Sequence, residues 1–293
     1  MIKYFQKPLD FLLFSNVFIS LGALAQGLVT YHLLGFSPSW MVLAFLFFST
    51  LLTYNFSILI QQPKNPETSE YRRVRWIFKN YNLNLGITVL AMLALILLFF
   101  MLSFKSQLLN IFLGILSLGY AMPVFRSKTN KKFGLRNIPA VKLFLIALVW
   151  TLSSVMIPFF ELEQSQNIQL PFHDLMILNL KRFLFLVAIT IPFDIRDMFQ
   201  DKIVALKTIP VIFGEKKAYL FCQVMLLTYV VLLFFFRNRG FDADFFGLGI
   251  TAVLTGWLIF KSKWRKNEYY YFLYLDGTLV LQYVMILVFS FTL

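Results

Sequence analysis

An all-α, polytopic membrane protein of nine transmembrane helices is the fold class this chain predicts, on three observations. Hydrophobic residues make up 59% of its 293 positions and charged residues only 14%, whereas soluble domains run about 45–50% apolar and about 25% charged. The apolar residues fall into nine runs near the ~20 residues that cross a bilayer as a helix. The cations gather in alternate loops between those runs. With a mean hydropathy of +0.73, such a chain buries its apolar surface in lipid. The 36 Phe and 13 Tyr suit lipid-facing surfaces and interfacial belts.

The spans lie at about 10–34, 38–61, 82–103, 107–125, 138–160, 180–197, 216–236, 244–260 and 271–292. The first follows a mildly basic stretch, Met1 to Asp10, and continues without a small-residue cleavage site. It therefore reads as a span and not as a signal peptide. The second leads into a basic loop, 63–80, and the third and fourth flank Lys105. A second basic loop, 126–137, leads into the fifth, and an acidic loop with Glu161, Glu163 and Asp174 leads into the sixth. A third basic loop, 202–217, precedes the seventh. Internal Gly, Ser and Thr let several of these helices pack closely in lipid. No linker is long enough to divide the chain, so residues 1–293 read as one transmembrane domain.

Orientation follows from the loops. With the N-terminus in the cytoplasm, 22 of the 27 Lys and Arg lie inside, and the five outside are Lys105, Lys181, Arg182, Arg237 and Arg239. That asymmetry is a strong positive-inside signal, and it places three basic loops on the cytoplasmic side. The net charge of +13 is thus a topological signal. It is scattered over loops and lacks the single basic face that nucleic-acid binding needs. The lone Cys222 excludes an intramolecular disulfide and has no metal-site spacing. His32 reads as interfacial and His173 as a solvated loop residue, neither as a ligand.

The chemistry concentrates at the end of the sixth span, in Ile191-Pro192-Phe193-Asp194-Ile195-Arg196-Asp197-Met198-Phe199-Gln200-Asp201-Lys202. Aspartates at i, i+3 and i+7 fall within roughly 60° of one another on a helix. An acidic stripe at the mouth of a membrane helix is costly unless a cation compensates it. Carboxylates facing Lys and Arg suit a diphosphate held through Mg²⁺, which takes one or two carboxylates plus substrate phosphates. On spacing alone, the same pattern also fits a solvated helix end with incidental acids. Asp276 lies inside the ninth span, where a charge is expensive. It reads as the partner of a basic residue on a neighbouring helix or as a polar lining residue. Asp10 reads as an interfacial helix end.

The residues that follow are Ala205, Thr208-Ile209-Pro210 and Gly214. Asp-x-x-Asp-x-x-x-Asp, a small residue, Thr-Ile-Pro and Gly together resemble the second aspartate motif of the UbiA-type intramembrane prenyltransferases, with Ala205 where that family usually has Gly. A second patch, Tyr120-Ala121-Met122-Pro123-Val124-Phe125-Arg126-x-Lys128 followed by Gly134 and Asn137, resembles the family's Tyr–Pro–basic segment. The resemblance implies a UbiA-like helical bundle and transfer of a prenyl group from a prenyl diphosphate to an aromatic or lipid-precursor acceptor. It implies Mg²⁺ on Asp194, Asp197 and Asp201. It also implies diphosphate contacts from Asn55, Arg72, Arg75, Tyr120, Arg126 and Lys128, with the active-site loops cytoplasmic. Aromatic candidates for stabilising an allylic cation are Phe193, Phe199, Phe213 and Tyr120.

The family's first motif, N-D-x-x-D-x-x-x-D at the end of the second helix, is degenerate here. Asn55 fits, but Phe56, Leu59 and Pro63 occupy the aspartate positions. Three consequences stay open. The site is a reduced metal site in which Arg72, Arg73 and Arg75 neutralise phosphate, for which the guanidinium fork is suited; or Glu67 or Glu70 supplies the missing oxygens; or the protein binds an isoprenoid or quinone-like lipid without transfer.

Overall fold

The computed structural model describes residues 2–60, 63, 65–121, 125–126, 132–133, 141–203, 206–238, 240–265 and 267–292. The helices are α1 (Ile2–Phe14), α2 (Val17–Leu34), α3 (Trp40–Ile60), α4 (Arg72–Lys79), α5 (Tyr81–Met101) and α6 (Phe104–Ala121). Next come a two-residue antiparallel ribbon, β1 (Phe125–Arg126) with β2 (Lys132–Phe133), then α7 (Val141–Thr151), which runs through a π turn at Leu152–Met156 into α8 (Ile157–Gln166). The chain continues with α9 (Phe172–Arg196), α10 (Met198–Ile203), α11 (Ile209–Phe213), α12 (Glu215–Phe235) and α13 (Ala243–Ser262). A π turn at Tyr270–Leu275 opens the last span, which α14 (Gly277–Thr292) completes.

Eight of these helical segments among the described residues are long and apolar enough to cross a membrane, which makes this an integral, multi-pass bundle. The ninth expected span, about 107–125, is present as the 18-residue α6. It is less apolar than the others because Lys105, Gln107 and Asn110 open it.

Helix α9 is the axis of the bundle, packed against α12 and α7, while α2 lies between α3 and α14. Leu178, Phe185, Val187, Ala188 and Ile191 of α9 are fully buried. The opposite situation holds at the rim, where Leu90, Leu97 and Phe100 of α5 are 61%, 69% and 75% exposed. In water such a stripe would be an aggregation hazard. In a bilayer it is the face that lipid covers.

Left-handed residues mark two helix boundaries, the first of them beside the cavity described below. Helix α1 stops at Ser15-Asn16, where Asn16 adopts a left-handed conformation (φ +67°), a region Asn tolerates better than most residues. Helix α2 ends at Gly35 (φ +81°), whose N–H bonds the carbonyls of Tyr31 and His32, the usual left-handed stop.

Close helix approach depends on small residues. A β-carbon added to Gly247 of α13 would lie 2.9 Å from the carbonyl oxygen of Met285 and 3.0 Å from Cα of Ile286 on α14, whereas one on Gly249 would meet nothing within 4 Å. Gly247→Val is therefore expected to cost about 1–3 kcal/mol through forced separation of two backbones, and Gly249→Val to be near neutral. Thermal unfolding of both variants in detergent checks this; equal shifts would contradict the packing.

Candidate functional site

The Asp-rich stretch does not continue as one straight helix. Helix α9 ends at Arg196, Asp197 takes a non-helical conformation (φ −89°, ψ 3°), and α10 restarts at Met198. This corrects the expected continuous stripe. Asp194 and Asp197 line a cavity of about 190 Å³, and Asp201, beyond the bend, does not. Asp201 is buried with one carboxyl oxygen lacking a hydrogen-bond partner. Burial raises its pKa, Lys142 pulls it back, and the neighbouring aspartates add to the rise.

The cavity has a charged end and an apolar end. Asn16, Arg73, Lys142, Asp194, Arg196, Asp197 and Asp276 surround the first, and Phe18, Ile146, Trp150, Leu186, Ile189 and Leu279 wall the second. Lys142, in the first turn of α7, meets Asp194 at 2.6 Å, and both side chains are largely buried. Arg196 grips Asp197 in a fork, Nε to Oδ1 at 2.8 Å and Nη2 to Oδ2 at 3.0 Å, and the Tyr71 hydroxyl donates to the same carboxylate at 3.0 Å. Desolvation and that carboxylate together raise the Tyr71 pKa. The Arg196 guanidinium also lies over the rings of Tyr71, Phe193, Tyr271 and Phe272 at 5.0–5.7 Å, contacts that help hold a desolvated cation.

Arg73 is the arginine that the second-span loop delivers to the cavity. Helix α4 is anchored because Glu268 accepts the backbone N–H of Arg72 at 2.7 Å and of Arg73 at 2.9 Å. A carboxylate there satisfies orphan donors at the positive end of the helix. The Arg73 side chain donates to Asn16 Oδ1 and lies 4.8 Å above the Phe272 ring. Burial lowers its pKa, against the pull of Asp276. Arg72 turns away to pair with Asp10 at 2.8 Å. Arg75 is exposed and donates to the carbonyls of Ser69 and Glu70. Neither lines the cavity.

Asn55 sits one layer behind. Its Oδ1 accepts from Asn16 Nδ2 at 2.7 Å, and its own amide donates to the Ser15 carbonyl at 3.2 Å. It thereby orients Asn16, which in turn holds Arg73. Glu67 and Glu70 are exposed and do not line the cavity. Tyr120 lines a second cavity of about 210 Å³ between α3, α6 and α7, which shares Tyr54, Ile146 and Trp150 with the first. Of the aromatic candidates, Phe193 lines the main cavity, whereas Phe199 and Phe213 are exposed. The side chain of Arg126 and the whole of Lys128, Ala205, Gly134 and Asn137 lie outside the described residues.

Sequence reasoning missed Lys142, Arg73 as the inward arginine of its loop, and Arg196. Asp276, read as a partner of a basic residue or a polar lining residue of the ninth span, shares the cavity with Asp194 and Asp197. The available signal was the expense of charge inside a span, which marks Lys142 and Asp276 alike.

Two buried donors in this wall have no partner, Nε of Arg73 and Nη1 of Arg196. Buried polar atoms are nearly always satisfied, and the two guanidinium side chains that carry these atoms line the cavity, where their positive charge suits an anion. Among the described residues no three metal-ligating side chains converge. The donor set therefore offers no all-protein metal cage, but Asp194 and Asp197 fit one Mg²⁺ shared with phosphate oxygens.

Fold and cavity define a polytopic helical membrane protein with a charged chamber at one end of the bundle. Neither a family model nor a curated protein sequence matches the chain. Solved structures do. A UbiA homologue from Archaeoglobus fulgidus bound to GPP and Mg²⁺ aligns with 96% of this chain and 98% of its own at 13% identity and a TM-score of 0.65. A UbiA homologue from Aeropyrum pernix K1 in its apo form covers 96% of both chains at 13% identity and 0.59. A digeranylgeranylglyceryl phosphate synthase covers 98% of this chain and all of its own at 15% identity and 0.54. The chain has the fold of the UbiA homologues over almost its whole length.

Proposed function

We propose that the protein is an intramembrane prenyltransferase of the UbiA type, one domain over residues 1–293, acting on a prenyl diphosphate and an aromatic or lipid-precursor acceptor. The observation that carries this is the cavity: two motif aspartates and two arginines at one end, and an apolar chamber suited to a prenyl tail at the other. The structural neighbours solved with GPP or DMAPP and Mg²⁺ support the substrate class. The gathering of basic residues in alternate loops supports a cytoplasmic location for this end.

Arg73 and Arg196 bind the diphosphate oxygens, and Lys142 holds Asp194 in place. Asp194 and Asp197 would hold Mg²⁺, which would supply charge neutralisation of the leaving group. The prenyl C–O bond breaks with its electron pair passing to the diphosphate, and the rings of Phe193 and Phe272 present π faces to the allylic cation. The acceptor carbon forms the new bond and yields its proton to the released diphosphate. The apolar walls exclude water, which would otherwise capture the cation.

The test is transfer of a labelled prenyl diphosphate to a panel of aromatic acceptors by membranes containing the protein with Mg²⁺. Transfer is expected, and Asp197→Asn should reduce it about 100–1,000-fold by removing metal-side charge. No transfer across a broad panel, with diphosphate binding retained, would replace the enzyme by a binding relative, the reading that the degenerate first motif favours.

A further inference from the structure

The cavity contains a third carboxylate that the aspartate motif of the sixth span does not account for. Asp276 follows the π turn Tyr270–Leu275, and its side chain lines the chamber together with Asp194 and Asp197. Single π turns recur at functional sites because they re-aim side chains at the cost of regular helix hydrogen bonding. Here the turn carries both Phe272 and Asp276 to the cavity.

The three carboxylates are not equivalent. Asp194 is engaged by Lys142 and Asp197 by the Arg196 fork and Tyr71. Asp276 has no direct side-chain hydrogen bond or ion pair among the described residues, although Arg73 and Arg196 lie within electrostatic reach. An ionisable side chain inside a span without a direct partner is expensive and marks a ligand pathway.

The charge balance says what the ligand must bring. Three cations (Arg73, Lys142, Arg196) face three acids (Asp194, Asp197, Asp276) around the charged end. A diphosphate entering alone would leave a large uncompensated negative charge in an apolar enclosure, which is strongly unfavourable. A divalent cation must accompany it. The two arginines lining the chamber suit the phosphate oxygens, and Asp276 is the carboxylate available to the metal.

We propose that Asp276 is a metal-side carboxylate, supplying from the last span the oxygen ligand that Phe56, Leu59 and Pro63 cannot supply from the second. This rests on the prenyl diphosphate reading above. Mg²⁺ needs only one or two carboxylates beside substrate phosphates, so Asp276 and the diphosphate suffice for a site distinct from the one at Asp194 and Asp197. The metal contact moves to another helix while the chamber is kept.

The experiment uses the purified full chain in detergent, inorganic diphosphate as the anion probe, and Mn²⁺ counted on the protein by its paramagnetic resonance signal. Wild type, Asp276→Asn and Asp276→Glu are compared. Asp276→Asn should weaken diphosphate-dependent Mn²⁺ uptake on the order of tenfold or more. It should leave metal-free diphosphate binding equal or tighter, since a competing negative charge is gone. Asp276→Glu, which keeps the carboxylate, should recover part of the uptake and guards against a mere folding defect. Unchanged Mn²⁺ uptake in Asp276→Asn overturns the inference and leaves the prenyl diphosphate reading standing. Weaker metal-free diphosphate binding also overturns it, because Asp276 would then act only by positioning Arg73 and Arg196. If wild type takes up no diphosphate with or without Mn²⁺, the underlying reading itself falls.

Discussion

Lys142→Met is expected to destabilise the protein by about 3–5 kcal/mol, because removing one member of a buried ion pair strands the other. Asp194 is 2% exposed and meets Lys142 at 2.6 Å. Asp194→Asn should cost a similar amount by stranding the ammonium. The double variant Lys142→Met/Asp194→Asn should recover most of the loss, because replacing a whole buried pair by neutral groups is often close to neutral. Unfolding of the four proteins in detergent forms a double-mutant cycle. A strong coupling is expected, and additive losses would mean that the pair does not hold α7 to α9. Activity should separate from stability: the double variant is folded but lacks a motif aspartate, and transfer should remain absent.

Arg73→Gln should weaken diphosphate binding about 10–100-fold, the loss of about 1.5–3 kcal/mol that a hydrogen bond to a charged group represents. Arg72→Gln and Arg75→Gln should change it less than about threefold, since a solvent-exposed arginine contributes little. Calorimetric titration of each variant with geranyl diphosphate decides this. The contrast follows from placement alone, because the three residues share one sequence cluster. Only Arg73 lines the cavity, held by Asn16 and Phe272. Arg72 is occupied by Asp10, and Arg75 by the carbonyls of its own loop. Equal losses in all three would mean that the loop binds phosphate collectively, as the sequence alone suggested.

Much of the fold was legible because its signals are local. Each span is a run of apolar residues, and the helix count came within one weakly apolar member, α6, of what the structure presents. The Asp-Thr-Ile-Pro string located the right end of α9. The sequence was less informative where geometry bends. A periodic stripe assumes an unbroken helix, and the non-helical Asp197 divides it, so Asp201 leaves the wall that Asp194 and Asp197 share. Asn55 matched the family pattern, yet its amide acts through Asn16 and not on the cavity directly.

The chain by itself determined that it spans the membrane repeatedly, in which loops its cations gather, and where an aspartate-rich stretch ends a helix. Those properties depend on hydropathy, charge and spacing within short windows. Only the tertiary structure decided that Lys142 lies against Asp194, that Arg73 is the inward arginine of its loop, and that Asp276 joins a chamber built by α2, α7 and α9. These meetings join residues 52 positions apart for Lys142 and Asp194 and more than 200 apart for Arg73 and Asp276. In an apolar enclosure a charge must find a partner, but which partner is set by how the helices pack.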